Sequence, residues 1–217
     1  MIMTPARCLF AAWIFGAALA AQEGWRQNFE AERLDHPPAG FTFGAMRQSD
    51  AGRWLVQRHG TLTFLSHHAQ PAAAGYALAV ENRPAPDDIS AAVRIRLAAG
   101  ARVGGLVWRY QNDQNYYALL LDLGKSDIAI YRIASGNRIR LDVTDGLELD
   151  ADAWHALKVS HIESSIRVSL GGVRVFEEED RRAFRRGAAA GRVGLIATGD
   201  SEAWFDDLHV EPKRGRR

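Results

Sequence analysis

The chain of 217 residues is predicted to be all-β, folded as two antiparallel sheets packed face to face. Three observations predict it. Apolar residues alternate at period two along the chain, turn residues separate the alternating runs at short intervals, and nothing beyond the N-terminal stretch keeps a helical stripe. In residues 92–97, Val93, Ile95 and Leu97 alternate with Arg94 and Arg96, so one face meets a core and the other faces solvent. Residues 156–160 and 165–170 repeat the pattern, turning Lys158 outward. Gly171-Gly172 separates 166–170 from 173–176, Ser135-Gly136-Asn137 separates 127–133 from 138–143, and residues 111–114 separate 103–110 from 115–122. Hairpins in succession build antiparallel sheet. About a dozen such strands exceed what one open sheet carries without curling, so two packed sheets are expected. One helical turn is expected at 180–186, pinned by Phe184.

The first twenty residues read as an export signal. Arg7 supplies the positive start, residues 8–19 the apolar stretch, and Ala18-Leu19-Ala20 the small residues of a cleavage site. That stretch is shorter than the roughly 20 residues a membrane-crossing helix needs. The expected organisation is a signal peptide over 1–20, one domain over 21–212 and a frayed basic tail over 213–217, giving a secreted or periplasmic protein without a transmembrane segment. Removal of the signal removes Cys8, the single cysteine, and with it any disulfide or cysteine nucleophile. Subtracting Arg7 from the 27 basic residues leaves 26 against 26 acidic ones, a balance that argues against nucleic acid as partner.

Four segments, in order, carry a family resemblance. They are Asn28-Phe29-Glu30 with Pro37-Pro38-Ala39-Gly40-Phe41; residues 104–110 (Gly-Gly-Leu-Val-Trp-Arg-Tyr) running on to 115–119; residues 154–159 with the Gly171-Gly172-Val173 hairpin; and residues 191–195 ending in Trp204-Phe205-Asp206-Asp207-Leu208. Together they resemble the concanavalin A-like jelly rolls, including laminin-G-like modules and the DUF1080 group of 3-keto-disaccharide hydrolase domains. The resemblance implies a two-sheet jelly-roll sandwich. It also implies a carbohydrate partner, and a structural calcium ion held by Asp206 of the last strand with Asn28 or Glu30 of the first. Calcium takes hard oxygen ligands of this kind.

The catalytic signatures of the fold are missing. The Glu-x-Asp-x-x-Glu strand of family 16 glycosidases has no counterpart, the nearest string being Glu148-Leu149-Asp150-Ala151-Asp152-Ala153. Where the keto-disaccharide hydrolases carry a His or Gln segment, this chain has Ala197-Thr198-Gly199-Asp200. His67-His68 is a vicinal pair with no metal spacing, read as a surface loop. Alternation assigns Leu106, Trp108 and Tyr110 to one face of their strand and Arg109 to the other; it turns Tyr116 and Asp122 outward on the next. Sugar recognition needs a ring to stack on and polar groups for hydroxyls, so Arg109, Tyr116 and Asp122 are the expected ligand-binding set on a concave sheet. The expected function is a non-catalytic carbohydrate-binding or adhesion module. The alternative is a glycoside hydrolase of the 3-keto-disaccharide type.

Overall fold

The computed structural model describes residues 23–46, 52–68, 75–98, 103–181 and 191–213. Fifteen strands occur in that set. The first five are β1 (Trp25–Gln27), β2 (Phe41–Met46), β3 (Arg53–His59), β4 (Leu62–His68) and β5 (Tyr76–Glu81). Next come β6 (Ile89–Leu97), β7 (Val103–Asn112), β8 (Asn115–Asp122), β9 (Asp127–Ala134) and β10 (Asn137–Thr144). The last are β11 (Trp154–Ile162), β12 (Ser165–Leu170), β13 (Val173–Glu179), β14 (Arg192–Thr198) and β15 (Ala203–Pro212). One sheet has eight strands in the order β13-β12-β11-β6-β15-β4-β3, with β1 also paired to β15. The other has seven, in the order β10-β9-β8-β7-β14-β5-β2. The architecture is the two-sheet antiparallel sandwich expected. Among the described residues, no helix is long and apolar enough to cross a membrane.

The core between the sheets follows the predicted parity. Val93, Ile95 and Leu97 of β6 share one buried cluster with Tyr117, Leu119 and Leu121 of β8, and with Leu157, Val159, Ile166 and Val168. At about 25 cal/mol per Å² of apolar surface, burial of this alternating set is the main stabilising term. The turns also have the predicted chemistry. Ser135 and Gly136 (φ 50° and 74°), and Gly171 and Gly172 (φ 58° and 85°), supply the two positive φ values of tight hairpins.

Parity breaks in β7. Arg109 takes φ 47°, and the pairing of β7 with β8 slips between Trp108 and Asn112. Against β14 the bulge adds one residue between Val107 and Tyr110, which moves Tyr110 to the face of Val107 instead of the face of Leu106 and Trp108 that strict alternation assigned. Gly191 permits this bulge, because a Cβ there would stand 2.5 Å from the Arg109 carbonyl carbon. His67-His68 is likewise corrected. The pair belongs to β4, and His67 is fully buried, its ring 4.8 Å from that of Trp54 and its Nδ1 2.7 Å from the Ser201 carbonyl oxygen.

Two outer strands carry irregularities of their own. The β9–β10 register skips Leu141, and the β12–β13 register skips Val175. Both apolar side chains pack against the inter-sheet core, and Thr144 Oγ1 donates to the Val175 carbonyl at 3.4 Å, tying the two sheets together along that side. The signal peptide over 1–20 lies outside the described residues, as do 182–186 of the expected helical turn and 214–217 of the tail.

Candidate functional site

The structure does not bring Arg109, Tyr116 and Asp122 into one groove. The bulge turns Arg109 inward, where it is 6% exposed. Its Nη2 donates to the carbonyls of Asp87 (3.0 Å) and Glu163 (3.4 Å), and its Nη1 lies 3.0 Å from His161 Nε2. On the other side of that imidazole, Trp108 Nε1 donates to His161 Nδ1 at 3.0 Å. A neutral imidazole has one acceptor nitrogen, so the ring accepts from one of these donors at a time. Burial first, and the Arg109 charge second, lower the His161 pKa to about 3, so the ring stays neutral at physiological pH. Tyr117 stacks on Trp108 and donates to Asp180, which also pairs with Arg132 at 3.0 Å. Arg109 is therefore a strut inside the sandwich.

Tyr116 does turn away from the inter-sheet core, but the face it joins is closed. Leu78, Val80, Val107, Leu120 and Ile196 form a second apolar cluster on the outer side of the seven-stranded sheet, with Tyr110 and Tyr116 among them. Side chains cross this face. Arg138 of β10 donates to the Tyr76 hydroxyl of β5 at 2.7 Å, although four strands separate them in the sheet. On a flat sheet that separation is about 24 Å, more than an arginine and a tyrosine span together. The sheet must curl, bringing opposite corners toward each other. Tyr116 Oη donates to Met46 Sδ at 3.1 Å across the same face, and Asp113, bound to the Tyr110 hydroxyl, abuts Gly44 of β2. Tyr116 is 2% exposed and is spent on this bridge. Asp122 sits at the far end of β8, where it accepts from the Lys125 backbone N–H and ammonium at 3.1 and 2.9 Å. It caps a turn.

The outer face of the eight-stranded sheet is different. Trp204 of β15 stacks on Phe64 of β4 with ring centroids 4.3 Å apart, and the Arg96 guanidinium lies 4.1 Å from its ring centre. Arg94 lies 4.9 Å over Trp154 in the same manner. Two hollows flank this ladder. The first, about 260 Å³, is lined by Leu34, Asp35, Gln57, Arg58, His59 and Trp204 over Phe64. A carboxylate, an amide, a guanidinium, an imidazole and an indole thus converge in one place. The second, about 340 Å³, lies further along β15. Sequence reasoning missed both because each draws on strands and loops distant in the chain.

The expected calcium ligands lie on this side too. Asp206 is 5% exposed, and burial, with the Asp207 and Glu30 charges adding, raises its pKa to about 6 despite the Asp207 N–H and nearby Arg94. Glu30 accepts from Thr63 Oγ1 at 3.0 Å, and Asn28 Oδ1 accepts from the Glu30 N–H at 3.4 Å. Among the described residues, no three His, Cys, Asp or Glu side chains converge as a metal site. Two carboxylates and an amide oxygen are what the region offers.

The sequence matches no family model and no curated protein. Solved structures do resemble it. A carbohydrate-binding module, CBM66 from Bacillus subtilis, superposes with a TM-score of 0.64 at 17% identity, covering 79% of this chain and 95% of that one. A protein with a galectin-like fold from the same organism gives 0.59 at 12% identity, covering 81% and 90%. A β-1,3-1,4-glucanase (lichenase) from a mouse hindgut metagenome gives 0.58 at 12%, covering 88% and 100%. At these identities the likeness is one of fold: the chain has the concanavalin A-like jelly-roll sandwich that its ordered segments resembled.

Proposed function

We propose that the chain is a secreted, non-catalytic carbohydrate-binding or adhesion module that meets its ligand on the outer face of the eight-stranded sheet. The observation that carries the reading is the hollow at Trp204, where Asp35, Gln57, Arg58 and His59 surround an indole edge. Sugars are recognised by that combination of ring and polar groups. The fold it shares with a carbohydrate-binding module supports the reading. An oligosaccharide array tests it, followed by calorimetry on Asp35→Asn, a change that keeps the side-chain shape at a position with φ 60°. Binding lost in the variant supports the hollow. Binding lost instead on Tyr116→Leu moves the site to the other sheet, and release of reducing sugar replaces the module with a glycoside hydrolase.

We also propose that calcium binds structurally at Asp206 and Glu30, with Asn28 and backbone carbonyls completing the oxygen set. A raised carboxyl beside a second carboxylate is stabilised by a hard cation. Chelation and Asp206→Asn should each lower the melting temperature. Without metal the variant should instead be the more stable at pH 7.5. A folded pKa of about 6 lies above the unfolded value, so Asp206 contributes stability at low pH and loses it as pH rises through 6.

A further inference from the structure

The second hollow differs from the first in charge. Its floor is Ala92 and Ala156, whose small side chains leave the sheet surface open, and its walls are Arg26, Arg94, Lys158 and His209 with Asp207. Three permanent cations, contributed by β1, β6 and β11, thus face two carboxylates of β15, Asp207 in the wall and Asp206 3.6 Å from Arg94. Asp207 engages Arg26 through Nε at 3.2 Å. Arg94 approaches Asp206 and Asp207 only to 3.6 and 3.7 Å, beyond hydrogen-bond reach, so its N–H groups keep their capacity to donate. Its stacking on Trp154 leaves the guanidinium edge available. Lys158 is exposed and, among the described residues, has no ion-pair partner within 4.0 Å; Glu211, which senses its charge, is held by Lys213 at 2.7 Å. Arg26 is held by Asp207 through Nη2 as well, at 2.5 Å. The donors left around the small-residue floor are therefore the Arg94 guanidinium edge and the Lys158 ammonium, which suit a planar or tetrahedral anion.

We infer that this hollow binds the carboxylate or sulfate ester of a glycan chain, so that the ligand of the outer face is an acidic glycan. The inference rests on the sugar-binding reading above and adds the ligand class. Trp204 of the first hollow and Asp207 and His209 of the second lie three and five residues apart on β15. At about 3.3 Å per residue, a saccharide lying along that strand spans both.

Calorimetry on the whole chain tests it with three probes: an oligogalacturonate, its methyl ester, and a sulfated neutral oligosaccharide of equal length. The acid or the sulfate should bind at least about tenfold more tightly than the ester. That preference should shrink with added salt, as expected for exposed charges. Lys158→Glu should abolish the preference without moving the melting temperature, and the acid and sulfate arms say which anion is read. An ester that binds as well as the acid, or an unchanged preference in Lys158→Glu, overturns the inference while the sugar-binding reading stands. No binding to any glycan sinks both. Lys158-dependent binding to phosphatidylglycerol vesicles alone replaces the glycan with a membrane surface.

Discussion

The two sheets share one core but differ in what they do with their other face. The seven-stranded sheet curls until Arg138 meets Tyr76 and Tyr116 meets Met46, and its outer face becomes a second apolar interior. The eight-stranded sheet stays open, and its outer face carries arginines stacked on tryptophans with a hollow on either side, one lined mainly by polar groups and one with charged walls over an apolar floor. A tyrosine on the first is structural; a lysine on the second is available. Facing away from the main core is thus no guide to ligand access until the curvature of the sheet is known.

Substitutions can break or sharpen this contrast. The largest effect should come from Tyr116→Ala, which removes a buried ring from the curled face and should cost about 3–5 kcal/mol in urea unfolding. Unchanged stability with lost glycan binding would make that face a ligand surface. Next comes acid, which probes the core the two sheets share. The lowered His161 pKa means stability present above pH 6.5 is lost as pH falls toward 3, by about 2 kcal/mol at pH 5 relative to pH 8. Asp206 works in the opposite sense between pH 4 and 6, so the measurement is the difference between wild type and His161→Gln at both pH values. A third test, Arg138→Ala, removes the bond to Tyr76 and the stacking on Tyr131, 3.6 Å from its centroid, and should cost about 1 kcal/mol. On the open face, Lys158→Ala should change stability by less than about 0.5 kcal/mol. A larger loss would mean that Lys158 is structural and the contrast overdrawn.

Much of the fold was legible because it depends on local pattern. The alternation in 92–97 and 156–160 correctly turned Arg94, Arg96 and Lys158 outward, and the glycine pairs marked their hairpins. What was not legible is non-local. The bulge at Arg109 depends on Gly191, just before β14 and some eighty residues on in the chain, and a residue count along β7 alone carries no trace of it. Tyr116 points where alternation puts it, but its burial comes from twist accumulated over several strands. The Trp204 hollow assembles residues from β3, β4, β15 and the turn at 34–35, so no single stretch announces it. The pairing of Asp206 with Asn28 or Glu30 came from position in the ordered segments; in the structure the Glu30 charge is one of those that raise the Asp206 carboxyl.

The skipped residues Leu141 and Val175 have a consequence for how copies of this protein meet. With a formal charge of +1 the molecule has little net repulsion to keep it dispersed at neutral pH. Sheet edges are where such a molecule would self-associate, since an incoming strand needs a straight ladder of open N–H and C=O groups. The strands β10 and β13 end their sheets, and each is bent by its bulge and studded with charge: Arg138 and Arg140 on one, Arg174, Glu177 and Glu179 on the other. A docking strand would lose register at the bulge and desolvate those charges. On the β10 and β13 side of the sandwich the kinks thus oppose strand-to-strand association, where overall charge does not.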